Sequence, residues 1–206
     1  MHFYAFGSIC RGELDSSSDL DILVCSEDGN PDLPKEKYSL YKYSRLKELW
    51  AEGNPFAWHL YLESTLIFSS DGDNFLQSLK KPAPYCNAKK DCLKFYNLFT
   101  DSFESLTKSK TNAVFNISCM FLGARNFATC HSLASNKPVF SRYSPFLIVD
   151  KLNIEESVFN TLLKARILST RGIGDNITQD EMTIVLENAP AIQKWMETIL
   201  MANQNE

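Results

Sequence analysis

The chain has 206 residues, of which 44% are hydrophobic and 22% are charged, and its formal net charge is −4. This length allows one domain or two small ones, and the composition is that of a globular protein rather than a disordered one. No apolar run approaches the ~20 residues of a membrane span, and a signal peptide is not expected because the first strand-like run begins at once. The negative charge gives no general attraction for nucleic acid.

The chain contains six cysteines and no Cys-x-x-Cys pair. Their spacing argues against a zinc site and favours reduced, mostly buried thiols. The sequence therefore predicts a cytoplasmic protein without membrane contact.

An apolar run at the N-terminus predicts a first strand from His2 to Phe6. The strand ends in Gly7-Ser8, and residues 8–14 are expected to form a short helix. A glycine at such a turn lets the backbone come close to a phosphate, and the neighbouring hydroxyl and amides can donate to the phosphate oxygens. The turn is therefore a candidate phosphate-binding segment.

A second apolar run, residues 22–24, follows directly after Asp19-Leu20-Asp21. Side chains alternate along a strand, so Asp19 and Asp21 are expected on one face, about 6–7 Å apart. Such a pair suits Mg²⁺ shared with a phosphate, because Mg²⁺ takes a few carboxylate oxygens together with substrate oxygens. The alternative is a surface Asp-Leu-Asp at the end of an ordinary strand.

The segment after the second strand is predicted to be helical. A turn is expected at residues 28–31, and an amphipathic helix at Leu33–Trp50, with apolar residues near one face. Gly53-Asn54-Pro55 is expected to end this helix.

An aromatic-rich, alternating segment predicts a strand at Phe56–Glu63. The period of two places His59, Tyr61 and Glu63 on one face of this strand. Glu63 is the only acidic residue in the segment.

The rest of the chain is predicted to be a turn, a linker and a set of helices. Residues 69–73 form the turn, Phe75–Leu79 a short helix, and Lys80–Pro84, with two prolines, the linker. The later helices are expected at Lys89–Leu106, Thr111–Ala134, Glu155–Ser169 and Gln179–Met201. Four antiparallel helices of this length form an ordinary bundle.

Gly7-Ser8, followed after ten residues by Asp19-x-Asp21 between apolar residues, resembles the signature of the nucleotidyltransferase superfamily of DNA polymerase beta. Arg11-Gly12 and Ser18 resemble its minimal and aminoglycoside (kanamycin-type) branches. The resemblance implies that Gly7, Ser8 and Arg11 bind the phosphates of a nucleoside triphosphate, with ATP the default by abundance. It also implies that Asp19 and Asp21 are catalytic and bind Mg²⁺. Two carboxylates alone would suit a phosphatase equally well.

The superfamily usually has a third carboxylate on a strand beside the Asp-x-Asp strand, where it binds metal or takes a proton. By this resemblance Glu63 is the candidate third catalytic residue; the alternatives are a solvated glutamate at the end of the strand, and a general base supplied by the helical half. In many relatives that carboxylate is mid-strand, where this chain has His59 or Tyr61. His59 is the alternative site residue, and a half-buried structural histidine is the plainer interpretation.

The central predicted helix contains Arg125 and His131. This spacing resembles the arginine–histidine motif of HEPN domains, helical bundles that accompany minimal nucleotidyltransferases and are in some cases dimeric ribonucleases. A homodimer is one expectation from this resemblance. On an unbroken helix the two side chains would point about 120° apart, which favours a packing or substrate-contacting Arg125.

The sequence thus predicts an α+β protein: a small mixed-sheet nucleotidyltransferase domain, residues 1–82, followed by an antiparallel helical bundle, residues 83–206. The resemblance implies transfer of a nucleoside monophosphate to an acceptor hydroxyl. The acceptor is an aminoglycoside-like small molecule, or a protein or tRNA as in toxin–antitoxin relatives. A non-catalytic binding module is a third possibility.

Overall fold

The structure, a computed structural model, describes residues 1–13, 20–28, 31, 33–34 and 37–202. By its internal contacts the chain divides into two compact units, Met1–Cys86 and Asn87–Glu206. The limit predicted from sequence lies four residues earlier, after residue 82. The predicted linker is held on the first unit by hydrogen bonds: Trp58 Nε1 donates to the Ala83 carbonyl at 3.0 Å, and the Ala83 amide donates to the Trp50 carbonyl at 2.9 Å.

A four-stranded mixed sheet forms the centre of the first unit, within the described residues. The strands lie in the order β3-β2-β1-β4, where β1 is antiparallel to both β2 and β4, and β2 is parallel to β3. Their bounds are β1 His2–Phe6, β2 Asp21–Ser26, β3 Ser39–Lys42 and β4 Ser64–Ser69.

Helices cover one face of this sheet and form the core of the first unit with it. The side chains of Tyr4, Leu23, Leu46 and Leu60 are fully buried there, because alternate strand residues face the apolar sides of the second and third helices. The helices of this unit are α1 Ser8–Arg11, α2 Tyr43–Ala51, α3 Pro55–Leu62 and α4 Phe75–Ser78.

The strand predicted at Phe56–Glu63 is wrong: the segment is helix α3. Asn54 caps the helix, since its side-chain oxygen accepts a hydrogen bond from the Phe56 amide at 2.9 Å, and Pro55 occupies the first turn. The segment is apolar on almost every side, so its sequence pattern does not distinguish a strand from a buried helix.

The helix predicted at Leu33–Trp50 is also wrong over its first part. β3 occupies Ser39–Lys42, and the helix α2 begins only at Tyr43. β3 is stabilised by parallel pairing with β2. This pairing is non-local, so the periodicity of the segment itself does not reveal it. The strand β4, which follows α3 directly, was not predicted.

The second unit is a helical bundle, and its predicted helices are confirmed. Helix α6 is buried on most sides and packs against α5, α8 and α9. Gly123 of α6 permits a close approach to α5, because a Cβ there would lie 2.9 Å from the Phe95 carbonyl oxygen. The bounds are α5 Ala88–Lys108, α6 Ala113–Ala134, α7 Ser144–Leu147, α8 Glu156–Arg171 and α9 Gln179–Ala202. The predicted α+β class is therefore confirmed.

Among the described helices, none is both long enough and apolar enough to cross a membrane.

Candidate active site

The register of the sheet brings three segments together at one end of β1. Phe6, the last residue of β1, pairs with Asp21 on one side and with Ser64 on the other. Gly7 therefore lies between the first residue of β2 and Glu63, the residue before β4. The Gly7 amide donates to the Glu63 carbonyl at 3.1 Å, which fixes this junction.

Gly7 has a backbone conformation that glycine alone adopts readily, with φ 77° and ψ −137°. A Cβ at this position would lie 3.1 Å from Asp21 Oδ2 and 3.8 Å from His59 Cε1. The missing side chain thus leaves a carboxylate oxygen and an imidazole close to the bare backbone. The approach of the Gly7 backbone to a phosphate stays a prediction; the structure shows the Asp21 carboxylate and the His59 ring beside it.

Of the two predicted metal ligands, the structure places Asp21 at the start of β2 with an exposed side chain. Asp19 and Ser18 lie outside the described residues. Within the part of the chain that is described, no three His, Cys, Asp or Glu side chains are grouped to hold a metal. The Asp21 carboxylate at the Gly7 backbone fits Mg²⁺, which takes one or two protein carboxylates and completes its shell with phosphate and water oxygens.

Glu63 lies at the C-terminal end of helix α3, and its carboxylate contacts an arginine and a histidine side chain. Arg11 Nη1, from the last residue of α1, donates to Glu63 Oε2, and His59 Nε2 lies 3.0 Å from the same oxygen. All three side chains are only 16–18% exposed. The predicted site residues Gly7, Arg11 and Glu63 therefore lie in one cluster with His59.

The pKa of the Glu63 carboxyl reflects this cluster. Burial raises that pKa, but the contact with His59 and the positive charge of Arg11 outweigh burial and lower it below its ordinary value. Glu63 is therefore held as a carboxylate at neutral pH.

Ser8 begins helix α1 and is half-buried beside Gly7. The helix ends at Arg11 and is capped by Gly12, which has the left-handed conformation with φ 72°. Arg11 is also 3.0 Å, through Nε, from Glu13 Oε2. The predicted phosphate-binding turn is thus a short helical segment, tied to Glu63 at both ends.

In the second unit, Arg125 and His131 each have a local partner. The Arg125 guanidinium donates to the carbonyls of Phe140, at 2.7 Å through Nη2, and Ser141, at 3.4 Å through Nε. His131 Nε2 lies 2.8 Å from Asp150 Oδ2, and the histidine is 8% exposed. These contacts tie helix α6 to the segment before α8, as expected for residues with a packing role.

Residues 2–86 match the family model of the nucleotidyltransferase domain. The match covers the first compact unit almost completely and ends where that unit ends. It supports the nucleotidyltransferase superfamily for this unit and nucleotidyl transfer in general. No curated protein and no solved structure matches the chain.

Proposed function

We propose that the protein is a Mg²⁺-dependent nucleotidyltransferase that moves a nucleoside monophosphate, AMP from ATP by default, to an acceptor hydroxyl. Pyrophosphate is released. The observation that carries the proposal is the Asp21 carboxylate, placed against the bare Gly7 backbone within the region that matches a nucleotidyltransferase domain.

In this proposal Gly7, Ser8 and Arg11 contact the β- and γ-phosphates, through backbone amides, a hydroxyl and a guanidinium. Asp19 and Asp21 would hold Mg²⁺, which when bound supplies positive charge at the phosphates. The acceptor oxygen forms a bond to the α-phosphorus while the bond from that phosphorus to the bridging oxygen breaks. The acceptor proton passes to a base, and the electron pair leaves with pyrophosphate.

Two roles for Glu63 fit this reaction. As predicted from sequence, it is a general base or metal ligand; alternatively, it holds the phosphate-binding segment in place. The contact of its carboxylate with Arg11 favours the second role.

We propose a small, hydroxyl-bearing and cationic acceptor of the aminoglycoside type. The net charge of −4 suits a cationic acceptor better than a nucleic acid. Transfer to a tRNA or to a protein in a transfer assay would contradict this choice of acceptor. The proposed reaction of the nucleoside triphosphate would be unaffected.

The experiment is a transfer assay with labelled ATP, Mg²⁺ and a panel of acceptors, performed with Asp19→Asn and Asp21→Asn. Each substitution removes one negative charge proposed to bind metal, so each should abolish nearly all transfer and leave the fold intact. Asp28→Asn is the matched control, because it removes the same charge just beyond the other end of β2. A folded Asp21→Asn variant that keeps a tenth of the parent activity would contradict the assignment.

A further inference from the structure

We infer that Glu63 is a positioning residue that orders Arg11 for the triphosphate, rather than the group that takes the acceptor proton. The inference rests on the proposed function, since it assigns a role within the same site. It starts from the fact that Glu63 contacts the Gly7–Arg11 segment twice.

The two contacts hold the two ends of that segment. The Glu63 carbonyl accepts the Gly7 amide hydrogen at 3.1 Å, and the Glu63 carboxylate accepts from Arg11 Nη1. Glu63 itself is fixed, because it caps the C-terminus of helix α3 and directly precedes β4, which pairs with β1. One residue therefore sets both the backbone and the cationic side chain of the predicted phosphate-binding segment.

The same contacts make Glu63 a poor base. Its Oε2 faces both the Arg11 guanidinium and His59 Nε2, and its side chain is 16% exposed. To accept a proton from an acceptor, this carboxylate would have to weaken a largely buried ion pair, which carries a heavy cost. An oxygen already engaged by a guanidinium is suited to holding that group.

Arg11 retains donors for a phosphate while it is held. A guanidinium presents five N–H donors in a rigid fork. Nη1 donates to Glu63 and Nε lies 3.0 Å from Glu13 Oε2, so these two contacts engage fewer than the five N–H donors. Because the guanidinium is already ordered before the substrate binds, less conformational entropy is lost on binding.

The sign of the effect on binding distinguishes positioning from simple electrostatics. Glu63→Gln removes a negative charge close to where a polyanion would bind, so Coulomb's law alone predicts tighter binding of a triphosphate. Loss of the hold on Arg11 predicts weaker binding, by about 10-fold, the scale of one charged hydrogen bond. The control Glu52→Gln removes an exposed negative charge of the same unit that pairs with Arg45 rather than with Arg11, and it should leave triphosphate binding unchanged.

The test is equilibrium binding of a non-hydrolysable triphosphate analogue with Mg²⁺ to the full chain, by calorimetry. Glu63→Gln should weaken the triphosphate about 10-fold and leave binding of a nucleoside monophosphate unchanged, because Arg11 is assigned to the β- and γ-phosphates. Arg11→Ala should weaken triphosphate binding at least as much as Glu63→Gln does. The double variant, with both substitutions, should bind no more weakly than Arg11→Ala alone, as expected for residues acting as a unit. Arg11→Lys, which keeps the charge and loses the fork, should behave like Glu63→Gln.

Turnover separates the two roles further. A Glu63→Gln variant that binds the triphosphate as well as the parent, or better, while its kcat falls 100-fold or more, would overturn the inference and restore the general-base role. If Glu63→Gln does not fold, Arg11→Lys binding the triphosphate as tightly as the parent would overturn it equally. A parent chain that binds no Mg²⁺-triphosphate would instead overturn the proposed function.

Discussion

Replacing Gly7 with alanine should abolish nucleotidyl transfer while leaving the chain folded. Gly7 has φ 77° and ψ −137°, a region that residues with a Cβ rarely adopt. The backbone strain of such a conformation costs about 1–3 kcal/mol, which is small against a typical stability of ~5–15 kcal/mol.

The larger effect of Gly7→Ala is local. The added methyl group would lie 3.1 Å from Asp21 Oδ2, so that the carboxylate has to move by a few tenths of an ångström or more. The methyl group would also occupy the space in which the backbone is proposed to meet a phosphate. A misplacement of about 1 Å at a reacting centre costs about 100-fold in rate, so displacement of the carboxylate together with exclusion of the phosphate should remove most of the activity.

The assay pairs chemical denaturation with transfer from labelled ATP. The control is Gly12→Ala, at the other end of α1, where the backbone is also left-handed but a Cβ meets nothing within 4 Å among the described residues. Both variants should lose about 1–3 kcal/mol of stability, whereas only Gly7→Ala should lose transfer. A Gly7→Ala variant with more than a tenth of the parent activity would refute the assignment of Gly7 as the phosphate-binding glycine.

Three further predictions concern stability and the second unit. Because the pKa of Glu63 is lowered on folding, its contribution to stability is present above about pH 4.3 and is lost as the pH falls through the lowered value. Acid titration of unfolding should therefore show a shallower loss below that pH in Glu63→Gln than in the parent; equal slopes would contradict this. Gly53→Ala should destabilise the first unit by about 2–5 kcal/mol, measured by denaturant unfolding, since its Cβ would lie 2.3 Å from the Pro84 carbonyl oxygen with φ at 62°. Purified protein should show no RNA cleavage in EDTA, because His131 is engaged by Asp150; EDTA-resistant cleavage that disappears in His131→Ala would support the HEPN alternative instead.

The Gly7–Asp21 arrangement is predictable from sequence because it is local. Two apolar runs on either side of a turn pair as neighbouring strands, and the antiparallel register then places the residue after β1 beside the first residue of β2. The motif contains most of the information needed for this part of the site.

The Glu63 cluster is not predictable in the same way. Arg11 and Glu63 are 52 residues apart, and only the pairing of β4 with β1 brings them together. The error at Phe56–Glu63 hid this pairing, because a strand there left no room for β4. Asn54-Pro55 is a helix-start signal that indicates the correct structure, and an i, i+4 spacing then explains why His59 meets Glu63.

The most direct test of the central claim follows both ends of the triphosphate. The protein is incubated with Mg²⁺ and the acceptor panel, once with ATP labelled at the α-phosphate and once with ATP labelled at the γ-phosphate. Nucleotidyl transfer predicts the α label on an acceptor and the γ label in pyrophosphate only, with both products absent in EDTA and in Asp21→Asn. The γ label on an acceptor, or its release as inorganic phosphate, would show phosphoryl transfer or hydrolysis and contradict the claim.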